Sequence, residues 1–323
     1  MFSFRNKIWI VVIIILILYT VWDNNRIKVV EQEIEIDSLP ADLQGFTILQ
    51  VTDLHEKEFG KDQIRLIKKL NSIEYDVIAF TGDMLNRNTS QNYRPFYQVI
   101  EGLKNKEHAL FVSGNSDPRP YILSGSGYKR NEFITGMEER GVTFLASNYP
   151  FQVGGSEVAI VDFENAIIND KRIRALKVSA SEKEYSPYVK LQLDVFEENQ
   201  LLEERSFDLI IALNHYPVAD SRMDVLFSDP HYSIRNFDLL LAGHYHGGQY
   251  RLPLLGAFFV PEAYIDRNGF FPPQDRVKGL WNYRGLKQYV STGLGSSDTI
   301  PFLKFRLFNS PEVNVITFVK KEN

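Results

Sequence analysis

Five short apolar runs, each closing on residues able to hold a metal ion, constrain this chain more than any other feature. Phe46 to Val51 leads into Asp53 and His55, Val77 to Phe80 into Gly82 and Asp83, and Ala109 to Val112 into Asn115, Ser116 and Asp117. Leu209 to Leu213 leads into His215, and Leu239 to Ala242 into Gly243, His244 and His246. Runs this short and this apolar read as strands buried on both faces. Lys61 to Ile73, with Ile64, Ile67, Leu70 and Ile73 at helical spacing, predicts a helix between the first two, and Pro95 to Leu103 predicts another between the next two. Strands alternating with helices give an α/β fold. Open sheets of that class gather their sites at the carboxyl ends of strands, so groups distant in sequence converge there.

The histidines sharpen this reading. Four of the six, His55, His215, His244 and His246, fall at strand ends, and only His108 and His231 lie elsewhere. Asp53 and His55 are two residues apart, as are His244 and His246, so an extended backbone would point each pair to one side. Asp53 or Asp83 taken singly reads as a turn or cap residue; the joint pattern is what points to a metal site. The chain has no cysteine, which removes thiolate ligands and cysteine nucleophiles. Nitrogen and oxygen ligands suit manganese, iron or zinc, and a carboxylate such as Asp83 can bridge two ions. Gly82, Gly114, Gly243, Gly247 and Gly248 are expected to let the backbone approach the ions and a phosphate closely. A formal charge of −5 over 323 residues argues against a surface for duplex nucleic acid.

Ile27 to Ile36, Val158 to Phe163 and Val313 to Val319 look like further strands, so the sheet is mixed or there are two packed sheets. The charge-rich stretch 169–204 reads as solvated helices, and Ser221 to Arg235 as a polar surface loop. The aromatics Phe258, Phe259, Tyr264, Phe270, Phe271, Trp281 and Tyr283 read either as packing between loops or as the rim of a substrate site. At the start, Arg5 and Lys7 precede the unbroken apolar run Ile8 to Tyr19, which Val21 and Trp22 extend. No small-residue cleavage pattern follows. The expected organisation is a short basic N-terminus (1–7), a single transmembrane anchor (8–24) and one domain (25–323). Cations ahead of the span place the N-terminus in the cytoplasm and the domain outside it at the cell membrane, although Arg26 and Lys28 stand on the far side.

In order, the chain supplies Asp53-x-His55, Gly82-Asp83, Gly114-Asn115-Ser116-Asp117, His215 and Gly243-His244-x-His246. With these five motifs it resembles the calcineurin-like metallophosphoesterase superfamily. Gly247-Gly248-Gln249, Leu252-Pro253 and the tail around Pro311-Glu312 resemble that superfamily's membrane-associated or exported bacterial branch. The resemblance implies a four-layer sandwich of two mixed β-sheets flanked by helices, here preceded by the transmembrane helix. It also implies two divalent ions. Asp53, His55 and His246 would hold one, Asn115, His215 and His244 the other, and Asp83 would bridge them. Hydrolysis of phosphodiester or diphosphate bonds by a metal-bridging hydroxide follows from that arrangement.

The chain departs from the family where the third motif carries a histidine: Ser116 stands there. That histidine would help the leaving oxygen depart, with Asp117 orienting it, whereas a serine hydroxyl neither carries positive charge nor readily yields a proton at neutral pH. A positioned general acid is worth roughly 10²–10⁴-fold, so activity is expected to favour good leaving groups. Asp83, Asn115, Ser116, Asp117 and His244 are the expected catalytic set, with Arg119 or Arg87 as candidate substitutes for the missing charge. The expected substrate is a phosphorylated small molecule or lipid, reached at the membrane. The rival reading is a membrane-tethered, metal-bound binding or sensing module without turnover.

Overall fold

The computed structural model describes residues 4–125, 127–179, 187–204, 206–262, 269–297 and 303–322. In chain order its first half holds α1 (Phe4–Asn24), β1 (Lys28–Ile36), β2 (Thr47–Val51), α2 (Ile64–Leu70), β3 (Val77–Phe80), α3 (Arg94–Gly102) and β4 (Ala109–Phe111). A hairpin of β5 (Tyr121–Ser124) and β6 (Gly127–Arg130) precedes α4 (Glu132–Glu138), β7 (Thr143–Phe144), β8 (Asn148–Val153), β9 (Ser156–Asp162), α5 (Phe163–Ala166), α6 (Asp170–Ser179) and α7 (Pro187–Glu204). Then come β10 (Leu209–Leu213), α8 (Asp220–Ser228), β11 (Leu239–Ala242), β12 (Arg251–Leu252), β13 (Gly256–Ala257), β14 (Gly279–Tyr283), β15 (Leu286–Val290) and β16 (Glu312–Lys320).

Two six-stranded mixed sheets form, in the orders β1-β16-β2-β3-β4-β7 and β14-β15-β11-β10-β9-β8. In the first, β2, β3, β4 and β7 run parallel and β16 is antiparallel to β2. In the second, β9, β10, β11 and β15 run parallel, with β8 and β14 antiparallel at the edges. Successive side chains of a strand point to opposite faces, and the packing follows that alternation. Ile48, Val77, Ala79 and Leu110 meet Val158, Ile160, Ile211 and Leu241 between the sheets. Leu49, Val51, Ile78 and Phe80 turn outward onto Leu66, Phe96 and Phe133 of α2, α3 and α4. Ala159, Val161, Ala212 and Leu240 turn outward onto Phe163, Met223 and Leu226 of α5 and α8. These are the four layers that the resemblance implied.

The expected surface loop from Ser221 to Arg235 is in part the helix α8. Its register puts Met223 and Leu226 against the second sheet, two apolar anchors three residues apart that the polar composition hid. The helix predicted over Lys61 to Ile73 is shorter: a 3-10 turn at Lys61–Gln63, with Asp62 and Gln63 at positive φ, starts α2 only at Ile64. Gln50, within an apolar run, points inward between the sheets. Its side-chain amide donates to Thr81 Oγ1 at 2.9 Å and to the Ala242 carbonyl at 2.9 Å, tying the two sheets together below the strand ends.

Helix α1 is long and apolar enough to cross a membrane, and its side chains from Ile8 to Leu18 are exposed. β-branched residues are indifferent helix formers in water, but a helix satisfies all of its backbone groups internally, as a lipid surrounding demands. The end of α1 is not a free linker. Asp23 is 1% exposed and accepts from Ser310 Oγ at 2.5 Å. Asn24 bonds the Arg306 backbone twice, Nδ2 to its carbonyl at 2.7 Å and Oδ1 from its N–H at 2.7 Å. The anchor expected at 8–24 therefore shares its last two residues with the domain. A chain beginning at residue 22 is expected to unfold at a temperature several degrees higher than one beginning at residue 27, because three buried or half-buried hydrogen bonds contribute about 1 kcal/mol each. Equal melting temperatures would show that these bonds carry no stability.

Candidate metal centre

The carboxyl ends of β2, β3, β4, β10 and β11 meet along one edge of the sandwich, and the predicted ligands converge there. His55 Nε2 lies 3.2 Å from His246 Nε2, with Asp53 Oδ1 3.5 Å from the latter and 3.9 Å from the former. Beside this group, His215 Nε2 lies 3.1 Å from His244 Nδ1 and 3.2 Å from Asn115 Oδ1. Asp83 Oδ2 stands between the two groups, 3.5 Å from His55 Nε2 and 3.4 Å from His215 Nε2. Two clusters able to hold an ion result, Asp53 with His55 and His246, and Asp83 with His215 and His244.

The backbone reaches this arrangement by a route that spacing alone did not indicate. The segments are not extended: Asp53 (φ 52°), His55 (φ 46°), Asp83 (φ 56°), His244 (φ 67°) and His246 (φ 49°) all sit in the left-handed region. Each such residue costs about 1–3 kcal/mol, a strain that collects at functional sites where surrounding bonds hold it. Those bonds are visible. Asp53 N donates to Gly82 O at 2.9 Å, His55 N to Asp83 O at 3.0 Å and Glu56 N to Met84 O at 3.0 Å. The glycines serve loop contact more than approach to a ligand. At Gly82 (φ 87°) a Cβ would stand 2.6 Å from Gly114 N and 2.7 Å from His215 Nδ1, and at Gly243 it would collide with the Thr52 hydroxyl.

Hydrogen bonding leaves the ligand atoms free to face inward. His215 Nδ1 donates to the Thr81 carbonyl at 2.9 Å, and His244 Nε2 to the Pro261 carbonyl at 3.2 Å. With those protons so placed, the neutral rings turn His215 Nε2 and His244 Nδ1 inward as lone pairs beside Asn115 Oδ1, and without an ion the neighbouring carboxylates favour a second proton on His215. Asp53 Oδ2 is taken by the His244 N–H at 3.1 Å and by Thr52 Oγ1 at 3.0 Å, whereas Asp53 Oδ1, fully buried, has no hydrogen-bond partner among the described residues. Inward-facing acceptors of this kind are stabilised by a cation and by little else. The donor set therefore fits divalent metal, with imidazole nitrogens and carboxylate or amide oxygens as the ligands.

The charges agree. Burial pushes Asp53 up to about 7, while His215 and His55 outweigh burial at Asp83 and hold it well below the usual carboxylate range. Burial would depress His215, but Asp83 and Asp53 raise it to about 9. Burial, followed by the charge of His215, drives His244 down to about 3, and burial lowers His246 as well. The protein thus draws positive charge to the centre between the carboxylates, where a bound ion meets the same demand.

Ser116 and Asp117 both engage the segment that carries Asp83. Ser116 N donates to Asp83 Oδ1 at 2.7 Å and its hydroxyl to Asp83 Oδ2 at 3.0 Å, so the side chain turns onto the Asp83 carboxylate. The Asp117 carboxylate accepts four backbone N–H groups, from Asp83 (2.7 Å), Met84 (2.9 Å), Leu85 (3.1 Å) and Gly114 (2.9 Å), and thereby clamps the Asp83 and Asn115 loops together. Arg87 and Arg119 are both exposed. Arg119 lines a cavity of about 440 Å³ together with Ser113 and Glu164, and Glu164 in turn accepts from Asn214, the neighbour of His215. Of the aromatic set, Phe258, Phe259, Phe270 and Phe271 are exposed, Trp281 is buried, Tyr283 donates to Asp224, and Tyr264 lies outside the described residues.

Arg306 and Asn309 escaped the sequence reading. Arg306 is fully buried, and its guanidinium donates to the carbonyls of Asn309, Gly295, Thr292 and the ligand His246. Asn309 Nδ2 donates to the same His246 carbonyl at 2.6 Å. Neither lies in a motif or at a strand end, and an arginine in a polar tail carries no signal of burial.

Residues 46–248, more than half of the chain, match the family described as calcineurin-like phosphoesterase. The Bacillus subtilis metallophosphoesterase YkuE is 23% identical over 300 residues, covering 91% of this chain and 86% of that protein. The UDP-2,3-diacylglucosamine pyrophosphatase LpxG of Chlamydia muridarum is 22% identical over 341 residues, covering 93% of each. Among solved structures, the sulfate thiohydrolase SoxB of Thermus thermophilus aligns with a TM-score of 0.39 at 12% identity, over 88% of this chain and 58% of that one. With its ordered motifs, its sandwich of two mixed sheets and its paired ligand clusters, the chain belongs to the calcineurin-like phosphoesterase family.

Proposed function

We propose that this protein is a two-metal hydrolase of phosphodiester or diphosphate bonds with good leaving groups, acting on a lipid-linked or cell-envelope substrate. The observation that carries the reading is Asp83 Oδ2, which stands within 3.5 Å of a ligand nitrogen in each cluster. Asp53 Oδ1, His55 Nε2 and His246 Nε2 would hold one divalent ion, Asn115 Oδ1, His215 Nε2 and His244 Nδ1 the other, with Asp83 shared. When bound, such ions polarise phosphoryl oxygens and acidify a water. The residues' own part is to fix that geometry: Asp117 locks the Asp83 and Asn115 loops, and Ser116 holds both oxygens of Asp83.

A hydroxyl spent on Asp83 is not available to a leaving group, so the substrate must supply a weakly basic one. Phosphate and aryl oxide qualify. That LpxG is a diphosphate-cleaving relative whose substrate carries acyl chains supports the same class. Helix α1 supports attachment to the cell membrane as a single pass, and Arg5 and Lys7 ahead of it favour a catalytic domain outside the cytoplasm. There a lipid diphosphate without a nucleotide is the substrate at hand.

The test uses full-length protein, manganese and bis(4-nitrophenyl) phosphate. Hydrolysis is expected, lost on chelation and restored by returning the metal; activity that survives thorough chelation would sink the reading. Ser116→His is expected to raise kcat on an alkyl phosphodiester by about 10²-fold or more and to leave aryl substrates within a few-fold. Equal gains across leaving groups would refute the role assigned to this position. The orientation of Ser116 also favours the rival, a metal-bound binding module, whose signature is stoichiometric metal and tight phosphate with no hydrolysis under manganese, iron or zinc.

A further inference from the structure

A cavity of about 270 Å³ opens beside the metal centre, and His246 forms part of its wall. The remainder of the wall is largely carbon, with Tyr250, Phe258, Phe259 and Leu303 lining it. Such a space offers a phosphate few polar partners, but immediately beside the metal centre it suits an alkyl chain. Its surroundings lead back to α1 through ring contacts. Tyr250 packs 5.4 Å from Phe305, Phe305 borders a cleft with Thr20 and Val21, and Tyr19 of α1 lies 5.4 Å from Phe308. The backbone follows the same course: Arg251 N donates to the Leu307 carbonyl at 2.9 Å and Leu307 N to the Gln249 carbonyl at 3.1 Å. The β12–β13 hairpin is thus laid along the segment that touches α1.

The turn of that hairpin leaves Leu254 fully exposed and Leu255 67% exposed. Phe271, whose ring lies 4.8 Å from Phe258, is 60% exposed. A run of apolar side chains at the tip of a small hairpin is unfavourable in water and favourable in a bilayer interface. Continuity with α1, a helix long and apolar enough to cross a membrane, selects a lipid over a protein as the occupant.

We propose that this cavity receives an acyl chain of a membrane lipid, which leaves the bilayer along the Leu252 to Leu255 turn while its phosphate remains at the metal centre. The inference rests on the phosphoesterase reading for the headgroup alone; the chain site stands on the cavity and the hairpin. It explains why a hydrolase of this kind would be tethered: the anchor holds the cavity mouth at the surface from which the chain must be drawn.

The experiment measures equilibrium binding of ethyl, butyl, hexyl and octyl phosphate to full-length, manganese-loaded protein in phosphatidylcholine nanodiscs. Affinity is expected to rise by about fourfold per methylene from butyl to octyl. Phe259→Asp, which puts a charge into the wall at a residue already 38% exposed, is expected to flatten the series to less than twofold per methylene. Leu303→Asp supplies the same comparison from a separate segment, and partition into the disc is common to all three proteins. A flat series in the unmodified protein, or one that stays steep in both variants, overturns the proposal. Hydrolysis of bis(4-nitrophenyl) phosphate measured alongside separates the two readings: a steep series without turnover keeps the chain site and removes the hydrolase, and turnover with a flat series does the reverse.

Discussion

Asp83→Asn is expected to lower kcat on an aryl phosphodiester by at least about 10³-fold, with metal content falling from two equivalents toward one or none. The substitution keeps the shape and removes the charge. Ser116 N–H donates to Asp83 Oδ1 at 2.7 Å, so the asparagine oxygen must take that position and its NH₂ must point toward the ions. A donor would then face the ions where a shared carboxylate would otherwise stand, leaving Asp53 as the one carboxylate among the proposed ligands. A shared carboxylate contributes several kcal/mol of charge stabilisation, and each 1.36 kcal/mol is tenfold in rate. Plasma mass spectrometry of the purified variant gives the metal content, and thermal melting in chelator checks the fold, which is expected to persist because the side chain's volume is unchanged. Full metal content together with undiminished kcat would remove Asp83 from the centre.

Arg306→Met is expected to destabilise the metal-free protein by about 3 kcal/mol or more, read from the urea midpoint. The guanidinium reaches four carbonyls, of Asn309 (2.8 Å), Gly295 (2.6 Å), Thr292 (2.6 Å) and His246 (3.1 Å). Of these, the His246 carbonyl keeps Asn309 Nδ2 as a donor. The other three lose a buried partner at about 1–3 kcal/mol each, against a total stability on the order of 5–15 kcal/mol. Burial lowers Arg306 only to about 10, so the cation is present throughout the neutral range. Because the same side chain holds a ligand's backbone, metal affinity is expected to fall by about 10–100-fold as well. Arg306→Lys, whose single ammonium cannot reach four acceptors at once, is expected to recover little. A loss under about 1 kcal/mol would show that water replaces the guanidinium.

Both variants act on features of different legibility. Asp83 was readable because a carboxylate following an apolar strand and a glycine is a local pattern, repeated with other ligands at four more strand ends. The core strands were readable for the same reason: Val77 to Phe80 and Leu239 to Ala242 are uninterrupted apolar runs, and their bounds in the structure are those of the sequence. Arg306 was not readable. Its burial depends on Asn24 and His246, 282 and 60 residues away, and nothing local marks an arginine whose partners are carbonyl groups. Helix α8 was missed because its two buried anchors, Met223 and Leu226, sit among polar neighbours; the second sheet, not helix amphipathicity, gives them their face.

The sequence by itself determined which residues able to hold a metal ion follow the apolar strands, and in what order, since both are local patterns. Only the tertiary structure decided the backbone path by which these side chains come together. Left-handed turns at Asp53, His55, Asp83, His244 and His246 are strained states that the isolated segments would not adopt, and bonds from other strand ends stabilise them. The direction of Ser116 was decided in the same way. A hydroxyl at that position could face a substrate or a neighbour, and Asp83, brought 33 residues across the sheet, takes it.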